Sequence, residues 1–296
     1  MFINQKLHKI ENHILSINSS TTGKLYIIST PIGNIKDITI RALDTLKSVC
    51  RVVCEDTRIT AKLLLHYGIK KPMVVFHNHS SSEKQIINYL LNGEDIALVS
   101  DAGTPLISDP GYTIVNAAIK LGIQVTAIPG PCSAITALTL SGLPANSFMF
   151  IGFLPNTLQS RLKELISVKE IEATLIFFET AKRLLAVLYN FLEVFGTRKM
   201  AIGRELTKLY EGVHYGNVVE QINYWQSKEL KGEFVLILEG ATQETLSDED
   251  IKKQMTSLLS KMSFKDAISF AKDSLGINKK KAYEIALQII RAYNHR

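Results

Sequence analysis

Five short apolar runs punctuate the first half of the chain, at Leu25–Ser29, Arg51–Cys54, Met73–Phe76, Ile96–Ser100 and Gln124–Ile128. Strands that read as continuous apolar runs are covered on both faces, the condition of a parallel sheet flanked by crossover helices. The intervening segments, at about 39–48, 57–67, 82–92 and 111–122, carry apolar residues at helical spacing and supply those helices. This predicts an α/β domain over 24–143. After Gly142-Leu143-Pro144-Ala145-Asn146 a second α/β set begins. Its strands are expected at Phe148–Gly152, Thr174–Phe178, Lys199–Gly203, near 208–214, and at Glu233–Leu238. That gives a second domain over 144–241, and a cleft between the two is the natural place for a ligand.

Beyond Gly240 the strand signal stops. Residues 246–296 read as three helices. Ser247 opens the first with Asp250 three residues on, and Ser263 opens the second with Asp266 in the same relation, both as capping pairs. Gly276 ends the second helix, Asn278 caps the third, and Lys279 to Tyr293 keep helical spacing. The last two helices have the outline of a helix-turn-helix.

Hydrophobic residues at 46% and charged residues at 21% exclude a globally disordered chain. The net charge of +6 suits a polyanionic partner such as RNA without requiring one. No apolar stretch reaches the ~18–20 residues of a membrane span. The start Met1-Phe2-Ile3-Asn4-Gln5 lacks the basic and apolar regions of a secretory signal, and residues 1–23 read as a flexible tail. Three cysteines, Cys50, Cys54 and Cys132, are too few for a disulfide framework and point to a reducing cytoplasm. Cys50 and Cys54 read as two buried thiols on one strand rather than a metal pair, because no second pair sits at zinc-like spacing. His77 and His79 read as polar cleft residues, and no metal is expected.

Three strand ends carry unusual turns: Thr30-Pro31-Ile32-Gly33-Asn34, Asp101 through Gly111, and Pro129-Gly130-Pro131-Cys132-Ser133-Ala134. Ligands of open parallel sheets bind outside the carboxyl ends of the strands, so the three should share one rim. A pocket built around Ser100-Asp101-Ala102-Gly103-Thr104-Pro105 follows, with Ser133 placed to cap the helix beginning near Ala134. A phosphate loop and a G-x-G-x-x-G turn after the first strand are both missing. That argues against ATP chemistry and conventional dinucleotide binding and leaves S-adenosylmethionine as a candidate.

Seven segments stand in one order: Ser29 to Asn34, Cys54-Glu55-Asp56-Thr57-Arg58, Ser100 to Gly111, Pro129 to Ala134, Gly152-Phe153-Leu154-Pro155, Glu179 to Leu184, and Arg204-Glu205-Leu206-Thr207-Lys208. Together they resemble the ribosomal small-subunit RNA cytidine 2′-O-ribose methyltransferase I family, over about residues 24–240. The helical tail resembles that family's C-terminal helical domain. The resemblance implies a two-domain, tetrapyrrole-methylase-like (class III) methyltransferase with a helical appendage. It further implies S-adenosylmethionine in the cleft, a homodimer, and the RNA or the assembled small subunit as substrate. Pro31, Asp101, Ala102, Gly103, Ser133 and Ala134 would contact the cofactor, with Phe178-Glu179 and Arg204-Glu205-Leu206 closing the site.

Transfer to a ribose oxygen needs alignment and a proton acceptor. Asp56 and Glu179 are the preferred acceptors, with Arg58 beside them. Asp56 has an alternative reading as a helix cap with Arg58 as its surface partner. Arg58 and Arg183 can instead hold phosphates bidentately. Arg183, Lys208 and Lys279-Lys280-Lys281 are the candidate RNA contacts, and Arg291 and Arg296 make the last helix more basic. The same three lysines also suit a plain solvated helix face. Two other functions remain open: a small-molecule methylase on the same fold, and a non-catalytic ribosome-assembly factor.

Overall fold

The computed structural model describes residues 22–76, 82–242, 248–275 and 277–294. Most of the expected tail, His77, His79, Ser247, Gly276 and Arg296 lie outside the described residues. The chain divides into two compact units, Met1–Ala241 and Thr242–Arg296.

Within the first unit, β1 (Leu25–Ile28), β2 (Arg51–Cys54), β3 (Met73–Val75), β4 (Ile96–Leu98) and β5 (Val125–Ile128) form a five-stranded sheet in the order β3-β2-β4-β1-β5. Every pairing in it is parallel. The crossovers are α1 (Ile40–Ser48), α2 (Thr57–His66), α3 (Ser82–Leu91) and α4 (Tyr112–Lys120), and α5 (Ser133–Leu140) follows β5. Successive strand residues alternate between two apolar layers. Val52 and Cys54 pack with Ala42 and Leu46 of α1 and Leu64 of α2. Val53, Ile96 and Leu98 pack with Ile86 and Leu90 of α3 and Ile114 of α4. The period of two and the cover on both faces are what make these strands read as unbroken apolar runs.

The second sheet is built from β6 (Phe148–Phe153), β7 (Thr174–Thr180), β8 (Lys199–Arg204), β9 (Gly212–Asn217) and β10 (Glu233–Leu238), with α6 (Leu158–Ser167), α7 (Leu184–Phe195) and α8 (Val218–Trp225) between them. Its order is β6-β7-β10-β8-β9. Only β6 and β7 run parallel; the other pairings are antiparallel. The strand expected near 208–214 starts instead at Gly212, because residues 205–211 form the loop of the β8–β9 hairpin. Leu209 and Tyr210, which gave that stretch its apolar look, are 88% and 73% exposed.

One face of this sheet packs on α6, α7 and α8 through Phe177, Phe191, Trp225 and Leu236. The other face receives α5: Ala134, Ala137 and Leu138 pack with Ile176, Val235 and Ile237, and Ile32 and Leu206 complete the cluster. A helix that follows the first sheet therefore supplies core to the second, and its apolar residues at i, i+3 and i+4 form the stripe that does so.

The second unit is a three-helix cluster of α9 (Asp248–Leu259), α10 (Phe264–Leu275) and α11 (Lys279–Asn294) around Ile251, Met255, Ala267, Ile268, Ala282 and Ile285. The Ser263 hydroxyl accepts from the Asp266 amide at 3.2 Å and donates to its carboxylate at 2.6 Å. Asn278 caps α11 by accepting from the Lys281 amide at 2.7 Å. No described helix is long and apolar enough to cross a membrane.

Candidate active site

The three unusual turns meet because β4, β1 and β5 are neighbours in the sheet. Thr30 and Gly103 exchange backbone hydrogen bonds at 2.8 and 3.0 Å. The Ser29 and Thr104 hydroxyls lie 3.0 Å apart, and Thr104 donates to the Pro131 carbonyl at 3.0 Å. Ser100 is buried and turned inward, its hydroxyl reaching the Ala102 and Gly103 carbonyls at 3.3 and 3.4 Å. Gly103 has φ +81°, a conformation that costs other residues but not glycine.

Facing this rim, across a cavity of about 250 Å³, stand Phe153 and Phe178 to Thr180 at the ends of β6 and β7, Leu206 in the hairpin loop, and Glu233 to Val235 at the start of β10. The first-sheet wall contributes Ile32, Ala102 to Thr104, Ile107 to Asp109, Cys132 and Ser133. Both loops that close the cavity hold strained backbone, with positive φ at Leu106 and Ser108 and at Glu205 and Thr207. Such residues persist only where the surroundings fix them. At Gly33 a Cβ would lie 2.4 Å from Lys208 Cγ and 2.9 Å from the Leu206 carbonyl, so the first turn fits beneath the hairpin loop only with glycine there.

Of the expected cofactor contacts, Ala102, Gly103, Ser133, Phe178 and Leu206 line this cavity. Pro31 and Asp101 line a second hollow of about 200 Å³ with Thr30, Gly33, Ile35, Lys62 and Leu63. Pro105 is buried beneath the turn, and Ala134 is buried in the contact between α5 and the second sheet. Ser133 is not the cap of α5. Cys132 occupies that position, without a side-chain hydrogen bond, and Ser133 is the first helical residue.

The two expected proton acceptors differ sharply. Asp56 caps α2 through the Arg58 amide at 2.8 Å and pairs with the Arg58 guanidinium at 2.5 Å. These bonds pull its pKa down to about 2. Its own amide donates to Asp101 Oδ1 at 3.1 Å. Glu179 is buried. Its Oε1 accepts from the Thr180 amide at 2.7 Å, and burial pushes its pKa up. Arg183 Nη2 lies 3.3 Å from Glu179 Oε2 without hydrogen-bonding to it, and that oxygen has no hydrogen-bond donor among the described residues. The contact is electrostatic.

Two expected RNA contacts prove to be engaged inside the protein. Arg183 donates to Asn156 Oδ1 and the Leu154 carbonyl, both at 2.7 Å, and to the Pro155 carbonyl at 3.3 Å. A bidentate phosphate grip would have to displace those acceptors. Lys208 bridges Glu205 at 2.9 Å and Glu233 at 2.8 Å, and the two carboxylates hold its pKa up against burial. Arg58 by contrast is 86% exposed. The cysteine expectation is also corrected: Cys54 is buried, but Cys50 precedes β2 and is exposed. Among the described residues no cluster of three metal-type ligands forms.

Thr104 belongs to the pocket expected from the sequence, whereas Asp109, Ile107, Ser108, Cys132, Phe153, Thr180 and Glu233 to Val235 carry no site role there. Thr104 to Asp109 lay inside a recognised turn. The β10 residues carried no signal beyond a strand, since nothing local tells a strand end at a cavity from one at the surface.

Residues 24–220 match the family of Tetrapyrrole (Corrin/Porphyrin) Methylases. The chain is similar to Ribosomal RNA small subunit methyltransferase I of Rickettsia prowazekii, with 42% identity covering 88% of this chain and 95% of the relative. It is 48% identical to the protein of the same name from Halalkalibacterium halodurans over 74% of this chain and 76% of that one. Its fold is that of a uroporphyrin-III-C-methyltransferase from Thermus thermophilus, with a TM-score of 0.54 at 22% identity, covering 73% of this chain and 94% of that one. The chain thus belongs to the tetrapyrrole methylase family and, within it, groups with the ribosomal RNA small subunit methyltransferases I.

Proposed function

We propose that the protein transfers a methyl group from S-adenosylmethionine to the 2′-hydroxyl of a cytidine ribose in small-subunit ribosomal RNA. The observation that carries this reading is the cavity between the three joined turns and the second sheet, in a chain of this family. Its composition fits the cofactor. Ile32, Phe178, Leu206 and Val235 offer apolar plates for an adenine, and the Ala102–Thr104 backbone offers polar groups. Among the described residues no lysine or arginine lines it, which suits a cationic ligand and not a phosphate. When bound, S-adenosylmethionine supplies an electrophilic methyl group.

The chain's own residues align the acceptor and take its proton. Glu179 is the better acceptor of the two candidates: it lines the cavity, and burial raises its affinity for a proton. Asp56, held down to about 2, is a poor base and instead organises Arg58 and Asp101. Arg183 positions Glu179, and Lys208 ties the hairpin loop to β10. Arg58, projecting from the start of α2, is placed to meet RNA phosphates.

Lys279, Lys280 and Lys281 occupy the first turn of α11. Positive charge there opposes the helix macrodipole by ~0.3–1 kcal/mol per residue, and for Lys279 and Lys280 an anionic partner is the better explanation. This arm docks RNA. Removing residues 246–296 weakens RNA binding and flattens its salt dependence by roughly one unit of slope for each phosphate no longer neutralised. An unchanged slope rejects the arm. We further propose a homodimer, in keeping with the resemblance and with the exposed Phe148 and Met149 on edge strand β6, and action in the cytoplasm.

The decisive experiment is mass mapping of small-subunit RNA from cells with and without the protein, paired with transfer of labelled methyl to isolated subunits and to a porphyrinogen. Loss of one ribose methyl and labelling of the subunit support the proposal. Labelling of the porphyrinogen alone replaces it with a small-molecule methylase.

A further inference from the structure

The cavity wall holds three carboxylates, Asp109, Glu179 and Glu233, and among the described residues no basic side chain. Two of the three have a cation close by: Arg183 lies 3.3 Å from Glu179 and Lys208 lies 2.8 Å from Glu233. Asp109 differs. Among the described residues no lysine, arginine or histidine forms an ion pair with it. The charged groups that act on it are Glu55, after β2, and Asp101, after β4, both acidic, and the Ser100 hydroxyl is its polar partner. Burial and these like charges push its pKa up to about 6. A partly buried anion without a countercharge is unfavourable, and a ligand cation relieves it. The turn that presents Asp109 is held rigid, with Leu106 at φ 75° and Ser108 at φ 64° just before it. Across the cavity the buried Oε2 of Glu179 also lacks a hydrogen-bond donor.

We infer that Asp109 is the residue by which this cavity tells the sulfonium methyl donor from its thioether product. The inference rests on the reading that the cavity holds S-adenosylmethionine. The donor carries a sulfonium. S-adenosylhomocysteine is the same molecule less that methyl group and that charge. The amino-acid and adenosine parts are common to both ligands, so their contributions cancel in the ratio of affinities. An unpaired carboxylate on the cavity wall then favours the donor on the order of tenfold, after allowance for screening. The attraction vanishes when the methyl group has left, and the product becomes the weaker ligand.

Calorimetric titration of the whole protein with each ligand tests this. At pH 8, Asp109→Asn is expected to lose about tenfold in affinity for S-adenosylmethionine while its affinity for S-adenosylhomocysteine stays within about twofold. Asp109→Glu is expected to keep most of the difference. In the wild type the donor-to-product preference falls between pH 8 and pH 5.5 as Asp109 takes up a proton. An equal loss for both ligands in the Asn variant overturns the inference. Should that variant fail to fold, the wild-type pH series decides, and a preference that does not change between the two pH values overturns it. Absence of binding by either ligand to the wild type rejects the cofactor reading itself, which is a separate outcome from equal loss.

Discussion

The two walls of the cavity are made from different materials. The first-sheet wall is largely backbone: turns with Gly103, Gly130 and five prolines, joined by main-chain bonds such as Thr30 to Gly103. The second-sheet wall is largely side chains: Phe153, Phe178, Glu179 and Leu206, held by partners far along the chain, among them Arg183 with Leu154 and Lys208 with Glu233. A backbone wall sets shape and, Asp109 apart, is insensitive to most single substitutions away from glycine. A side-chain wall sets chemistry and can lose it in one substitution without changing shape.

That contrast is tested most severely at Glu179. Glu179→Gln preserves the acceptor for the Thr180 amide and removes the proposed base. Transfer under saturating cofactor should fall by about 10²–10⁴-fold, with the melting temperature and the cofactor affinity nearly unchanged. A loss of less than tenfold removes Glu179 from the chemistry. The next largest effect is expected where the two walls touch. Gly33→Val forces the first turn and the hairpin loop apart, since its Cβ would meet the Leu206 carbonyl at 2.9 Å. Overpacking of this kind costs about 1–3 kcal/mol, and cofactor affinity should drop by at least about tenfold. Wild-type affinity in this variant would show that the backbone wall yields as readily as the side-chain one.

The smallest effect belongs to Asp56, which stands outside both walls. Its pKa is depressed in the folded protein, so its contribution to stability is full above the unfolded value of about 3.9 and disappears as pH falls through about 2. Asp56→Asn should therefore be slightly less stable than the wild type at neutral pH, with the gap between their melting curves closing from pH 4 to pH 2. Its partner Arg58 is exposed to solvent, which screens the pair, and the gap is small. A constant gap across that range would mean that Asp56 acts only as an uncharged cap.

The contrast between the walls also governs what could be read from the chain. Buried strands announce themselves by local composition, and β2 falls on the expected Arg51–Cys54. The three turns were visible because glycine and proline advertise special backbone. Positive φ at Glu205 and Thr207 gives no such sign, so the hairpin loop read as part of a strand. Arg183 and Lys208 have near partners in Glu179 and Glu205, but each is also held by an acceptor more than twenty residues away, which no spacing rule reaches. Asp109 sat within a recognised motif, but its raised pKa comes from burial and from Glu55 and Asp101, all products of the fold.

The helix α5 begins at the cavity with Ser133 and rests on the second sheet through Ala134 and Ala137. It is in effect a gauge block: the clearance between the two halves is the thickness of a helix whose contact face carries methyl groups. Each carbon added at those two alanines would prise the walls apart by a fraction of an ångström at the end that opens on the cavity. The aperture of the cleft is thus dimensioned by two of the smallest side chains in the chain, neither of which needs to touch what it admits.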